Sequence, residues 1–257
     1  MKSAVRRILF NSVDSDVQKY INKLTGNGTS LNSIEIKALT TLVKSLKKGG
    51  IWDKYAFLWI CPSQANLLSG AIYLKPYGNI DRMTLSNFAL ADFSTNGLIG
   101  NGSTSTADSG VLSTATSTNQ LVGLGFYSHS NFADTSSAIQ TSIQFLIYPR
   151  YSGGITYWDA GNSSGARTSA LNSTAQGLGL YQVLGTNSTA SRDKIELINA
   201  TITPASEIAA LNFTMWAGSA RRFSMFFVLN MATLSIAERD IQYDVYTTYC
   251  NSIGRTL

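Results

Sequence analysis

The alternation of apolar and polar positions falls into three zones. Residues 222–229 (RFSMFFVL) are apolar at both parities, the pattern of a strand covered on both faces. Just beyond them, Ser235 and Glu238 form an S-x-x-E capping box. Ile241, Val245 and Tyr249 then recur every four residues as one packing face, and Gly254 ends the helix. This C-terminal helix, 235–253, is expected at an edge or end of the β structure. At the other terminus, Val17, Ile21 and Leu24 space a short helix capped by Asp14 and stopped by Gly26. A second helix follows Ser33, with Ile36, Leu39, Val43 and Leu46 on one side and Gly49-Gly50 at its end. Two such helices are too small to fold alone, so they dock on the main domain or on a partner.

From residue 51 the period changes to short β runs. Residues 55–61 (YAFLWIC), 71–74, 120–127 (QLVGLGFY), 138–148 (AIQTSIQFLIY), 178–184, 194–203, 211–217 and 222–229 read as strands. In 138–148, Ile139, Thr141, Ile143, Phe145 and Ile147 point inward, and Pro149 closes the run. Residues 94–119 are mostly Ser, Thr, Asn and Gly with brief apolar breaks, which reads as loops joining short polar-faced strands. Nine or ten strands with regular turn signals predict an all-β, two-sheet antiparallel sandwich.

Composition sharpens this. Only 14% of the 257 residues are charged, against 44% hydrophobic, which suits a sandwich faced with small polar residues and packed against other proteins. The charge is uneven: residues 1–50 hold nine Lys/Arg and three Asp/Glu, net +6, and residues 51–257 hold eleven and twelve, net −1. The chain therefore divides into a basic helical arm, 1–50, and a β-sandwich with its C-terminal helix, 51–257. No apolar run approaches the ~18 residues of a membrane-crossing helix, and the run at 8–10 is too short for a signal peptide. Synthesis in a cytoplasm is expected, with Cys61 and Cys250 as buried reduced thiols.

Residues 36–52 (IKALTTLVKSLKKGGIW) carry an I-x-x-L-x-x-L-V-x-x-L-K-x-x-G-I-W pattern. Residues 226–255 carry L-x-x-A-E at Leu234, Ala237 and Glu238 and end in I-G-R, and residues 97–108 carry G-x-x-x-N-G-S-T-x-x-x-D. Together these stretches resemble bacteriophage virion-associated proteins with a concanavalin A-like, laminin-G-like jelly roll. The resemblance implies a jelly-roll sandwich and a structural part of a particle: a head decoration, tail or fibre-associated protein. It implies other virion proteins as partners, a homo-oligomer, and the virion as destination.

Candidate chemistry is sparse. His129 is the single histidine; with Asp134 nearby it reads as a surface loop residue and not as part of a Ser-His-Asp triad. Glycoside hydrolases on the resembled fold carry E-x-D-x-x-E on one strand. Here Glu35 and Glu238 mark helix starts, and Glu207 a helix or turn start after Pro204. Asp193 and Glu196, at odd separation, face opposite sides of a regular strand. No catalytic residue, metal or cofactor is expected. Asp108, Asp159 and Asn162 read as loop oxygens of the type calcium takes, at a spacing that matches no calcium loop. Tyr151, Tyr157 and Trp158 flank the Gly153-Gly154 turn, either as hairpin core or as rings for a glycan. Lys2, Arg6, Arg7, Lys37, Lys44, Lys47 and Lys48 form a basic set suited to docking on an acidic protein surface. Nucleic acid is not expected as a partner, because the set lacks interleaved aromatics. The reading is a non-enzymatic virion component anchored by its basic arm, with a carbohydrate-binding module as the alternative.

Overall fold

A computed structural model describes residues 13–62, 66–118, 120–141, 145–160, 167–204, 208–216 and 218–255. The chain is an all-β antiparallel sandwich of two sheets with a helical layer on the outer face of the larger one. The larger sheet runs, edge to edge, Ile195–Thr201, Asn187–Arg192, Gly177–Leu184, Leu121–Ser128, Arg222–Leu229, Tyr55–Ile60, Ile72–Tyr77 and Ile80–Arg82. The short strands Phe93–Ser94 and Gly97–Ile99 join it beside Arg222–Leu229. The smaller sheet runs Arg167–Leu171, Ile155–Ala160, Phe145–Tyr151, Ile139–Thr141, Asn212–Met215, Thr106–Leu112 and Thr84–Ser86.

Three helices matter to the architecture: α1 (Ser15–Gly26), α2 (Ser33–Lys48) and, after the four-residue α3 (Ser113–Thr116), α4 (Ile236–Ser252). Their starts are capped as the residue types require. Asp14 accepts from the Asp16 amide, Asn32 from the Glu35 amide, and Ser235 and Glu238 form the reciprocal box.

The central strands are apolar on both faces because both are covered. In Arg222–Leu229, Phe223, Phe226 and Val228 enter the core between the sheets, while Met225, Phe227 and Leu229 enter the core under the helices. Phe57 and Trp59 alternate in the same way with Leu58 and Ile60. The inner core is aromatic, including Trp158, Trp216, Phe126, Phe145 and Phe213. The outer core takes Val17, Tyr20 and Leu24 of α1, Leu39, Val43 and Leu46 of α2, and Tyr246 and Tyr249 of α4. Each fully buried Leu or Val contributes about 1.5–3 kcal/mol, so α1 and α2 share a core with the sheet and do not stand off from it.

Two local expectations are corrected. Helix α4 lies across a sheet face, not at an edge, and the residues it buries are Arg239, Gln242, Tyr246, Tyr249 and Cys250. The stripe of Ile241 and Val245 turns toward α2 instead; a Cβ at Gly49 would meet the Ile241 Cγ2 at 3.1 Å. The strand begun at Phe145 also runs past Pro149 to Tyr151. Its pairing with Ile155–Ala160 slips by one residue between Tyr148 and Tyr151, and that bulge accommodates the proline's missing N–H. In the same run Ile139, Thr141, Phe145 and Ile147 are buried as expected, and Ile143 lies outside the described residues.

Candidate binding surfaces

The basic set divides three ways. Lys2, Arg6 and Arg7 lie outside the described residues. Lys37, Lys44 and Lys48 are exposed on α2, away from its buried stripe. Lys47 is half-buried and already engaged: its ammonium is 2.8 Å from both Asp14 and Asp16 and sits over the Trp52 ring at 5.6 Å. It ties the end of α2 to the start of α1 and is a poor candidate for an outside partner.

Several carboxylates are tuned by such ties. Burial alone would raise the Asp16 pKa, but the Lys47 and Lys19 ammoniums outweigh it and hold the group below its ordinary range. Burial is likewise outweighed at Asp81 by Arg82 and Lys23, and at Glu238 by Lys54 and the Ser235 cap. A depressed folded pKa means the folded state binds fewer protons than the unfolded chain. The stability from these three groups is therefore complete above the ordinary carboxylate range of about 4 and is lost as pH falls below it. Calorimetry should show the melting temperature falling through that window, with added salt reducing the drop. Asp193 runs the other way, raised by burial.

His129 lies in the loop that follows Leu121–Ser128, half-buried there. Its ring packs at a tilt against Tyr127, centroids 4.9 Å apart, and its Nε2 lies 2.6 Å from the Ser224 Oγ, which lies 2.6 Å from the Tyr246 hydroxyl. This hydrogen-bonded chain fastens α4 to the sheet. Ser224 has no exposed surface, so the pair offers no nucleophile to an external substrate. Asp134 is occupied elsewhere, accepting from Ser219 at 2.5 Å beside Arg221.

The acidic candidates are dispersed. Asp193 sits in a tight turn at φ 57° and accepts the Leu178 amide at 2.8 Å. Glu196 is exposed and accepts from Asn199, and Glu207 lies outside the described residues. The candidate calcium oxygens are not loop residues. Asp108 lies on Thr106–Leu112 and accepts the Gly110 amide, while Asp159 lies on Ile155–Ala160. Four strand spacings, about 19 Å, separate those strands in the sheet order. Asn162 lies outside the described residues, and among those described no group of three or more His, Cys, Asp and Glu could hold a metal.

Arg255 and Glu35 are among the buried charged groups that escaped the sequence reading. Arg255, the last residue of I-G-R, is 2% exposed. Its Nε donates to the Thr95 carbonyl at 2.6 Å and its Nη2 to the Cys61 carbonyl at 2.8 Å, with Nη1 at 3.5 Å from the Tyr246 hydroxyl. Glu35 is also 2% exposed, and both charges act on Tyr20, Cys61 and Tyr249. Burial pushes Cys61 up to about 12 and Cys250 up to about 11, so both are inert thiols.

Of the three ring candidates, Trp158 is corrected: it has no exposed surface and packs against Phe145 and Tyr181 between the sheets. Tyr157, its neighbour on the strand, faces the other way. Tyr157 is half-buried on the outer face of the smaller sheet with Tyr148 and Tyr151. The three rings meet edge to face, with centroids 5.4–6.5 Å apart and interplanar angles of 81–90°. Tyr148 and Tyr151, three residues apart, share this face only because of the bulge between them. Beside them Arg167 grips Asp159 through two 2.6 Å hydrogen bonds and lies 5.4 Å from the Tyr157 ring centroid.

A groove of about 490 Å³ lies between the start of α4 and the strands Gly177–Leu184, Asn187–Arg192 and Ile195–Thr201. Its walls include Lys54, Thr189, Glu196, Ile236 and Glu238. Among the described residues, no helix is long and apolar enough to cross a membrane.

No protein-family model and no curated protein matches the sequence. Among solved structures, the chain is similar to Trypanosoma rangeli sialidase in complex with 2,3-difluorosialic acid: TM-score 0.52 at 12% identity, over 81% of this chain and 38% of that one. It is also similar to a point mutant of HCR/D, with TM-score 0.50 at 10% identity over 75% of this chain and 52% of that one. A further likeness is to domain 4 of AbnA, a GH43 extracellular arabinanase from Geobacillus stearothermophilus in complex with arabinotriose. That match has TM-score 0.47 at 14% identity, over 65% of this chain and 90% of that domain. The chain thus spans well under two thirds of the sialidase and HCR/D chains. At these identities the likeness is one of fold: a two-sheet sandwich of the jelly-roll type.

Proposed function

We propose that this chain is a non-enzymatic structural component of a phage particle: a head decoration, tail or fibre-associated protein. In this role it is held among other virion proteins as a homo-oligomer, anchored by its basic N-terminal arm. The observation that supports the reading is where the three family-like stretches meet. Helix α2 packs along α4 and leads into Trp52, the strand Arg222–Leu229 feeds α4, and Gly97–Ile99 pairs with that strand at Leu98 and Phe223. Arg255 closes the unit on the Thr95 and Cys61 carbonyls. Segments far apart in sequence thus form one helix-on-sheet unit. Lys37, Lys44 and Lys48 stand on its solvent side, where an acidic neighbour could meet them.

The test is incorporation into particles. Removing residues 1–12 deletes Lys2, Arg6 and Arg7 without touching Val17, Tyr20 or Leu24 of the outer core. Combining that deletion with Lys37→Glu, Lys44→Glu and Lys48→Glu should leave a folded chain and lower its share in purified particles by tenfold or more. Incorporation unchanged by both alterations would overturn the anchoring role.

A further inference from the structure

We infer that the outer face of the smaller sheet is a binding platform for a neutral oligosaccharide, built by Tyr148, Tyr151 and Tyr157 with the Asp159–Arg167 pair at its side. This goes beyond the particle role and does not depend on it.

The rings are the first reason. On an antiparallel sheet Tyr148 is directly opposite Tyr157, and Ser169 stands opposite Tyr157 on the next strand. The one-residue bulge brings Tyr151 onto the same side, opposite Ile155. Each tyrosine braces the other two at near right angles, so the rings are fixed before any ligand arrives and little side-chain freedom remains to be lost. A sugar ring has an apolar C–H face that lies on an aromatic ring and a rim of hydroxyls that needs donors and acceptors. Tyrosine supplies both an apolar body and a hydroxyl.

Charge selects among ligands. The neighbouring pair is balanced: Asp159 is 8% exposed at its side chain and takes two hydrogen bonds from Arg167. The pair itself adds no net charge to attract an anionic polymer, while the carboxylate's other lone pairs and the remaining guanidinium N–H groups can meet sugar hydroxyls. Ser169 and Leu171 are exposed beside them, Leu171 at 81%.

Size separates a sugar from a protein partner. A tyrosine buries about 150–250 Å² when covered. Three half-buried rings therefore offer on the order of 200 Å², short of the ~800 Å² per partner of a stable protein interface. That area suits two or three sugar units.

The experiment uses the full chain with cellopentaose, laminaripentaose and maltopentaose as neutral probes and a pentagalacturonate as the anionic one. Binding is followed by titration calorimetry, and Tyr148→Ala, Tyr157→Ala and the remote control Glu196→Gln are each checked for unchanged melting. Binding of at least one neutral probe, weakened tenfold or more by either tyrosine change and unaffected by E196Q, is the expected result. The inference is overturned by no binding to any neutral probe, by binding that survives both tyrosine changes, or by preference for the galacturonate. It is also overturned if the tyrosine changes abolish self-association of the chain, because the face would then belong to a second copy.

Discussion

Arg255→Ala should destabilise the chain by about 3–5 kcal/mol, a large share of the usual total stability of about 5–15 kcal/mol. The guanidinium reaches both the Thr95 carbonyl, in an exposed turn, and the Cys61 carbonyl, which is buried. Removing it leaves the buried Cys61 carbonyl unpaired and a void beside Tyr246 and Tyr249, whose ring lies 5.8 Å from the guanidinium carbon. The buried Glu35, which acts on the same tyrosines and on Cys61, would also lose an opposing charge. Arg255→Lys should recover only part of the loss, since one ammonium cannot span the fork. Urea denaturation decides the matter: a change in stability under 1 kcal/mol for R255A would show that the clamp carries little.

The second large effect is expected at Gly125, in the middle of Leu121–Ser128. This strand lies between Gly177–Leu184 and Arg222–Leu229, and a Cβ at Gly125 would come closer than 3.0 Å to the Gly179 carbonyl oxygen and to the Phe227 ring. Backbone on one side and a core aromatic on the other leave no soft neighbour to yield. Gly125→Ala should therefore cost about 3 kcal/mol or more, at the upper end of overpacking effects. Gly26→Ala, where nothing lies within 4 Å, is the matched control and should be close to neutral. Equal melting temperatures for the two variants would refute the packing argument.

What could be read from the chain was what depends on near neighbours in sequence. Caps at Asp14 and Ser235, stops at Gly26 and Gly254, and the double-sided apolar run at 222–229 all act within a few residues, and they appear where they were expected. The strands Asn187–Arg192 and Arg167–Leu171 gave no such signal. Apart from Leu171, their outward residues are Ser, Thr, Asn and Arg, and much of their hold on the sheet comes from backbone pairing to neighbours. The packing face of α4 misled for a related reason. It rests on a sheet that offers hydroxyls, so Gln242 bonds the Tyr55 hydroxyl at 2.7 Å and Tyr246 bonds Ser224, while the apolar stripe serves α2.

The candidate site was half legible. The cluster of rings around the Gly153-Gly154 turn was visible, but not which ring points where. Parity places Tyr157 and Trp158 on opposite sides, and only the sheet's stacking decides which side is core. Tyr151 could join Tyr148 only through a bulge, which the proline allowed and the local pattern did not announce. Arg255 and Glu35 were hidden because a charged residue near a helix start or a chain end ordinarily belongs to solvent.

The stacking of layers has a further consequence for orientation. The lysines of α2 and the tyrosines of the smaller sheet belong to opposite outsides of the molecule, with two sheets about 10 Å apart and a helix about 10 Å thick between them. A chain gripped by its helical side would turn the aromatic side away from whatever holds it. One end would be for attachment and the other for display, with the rigid sandwich setting the distance between them.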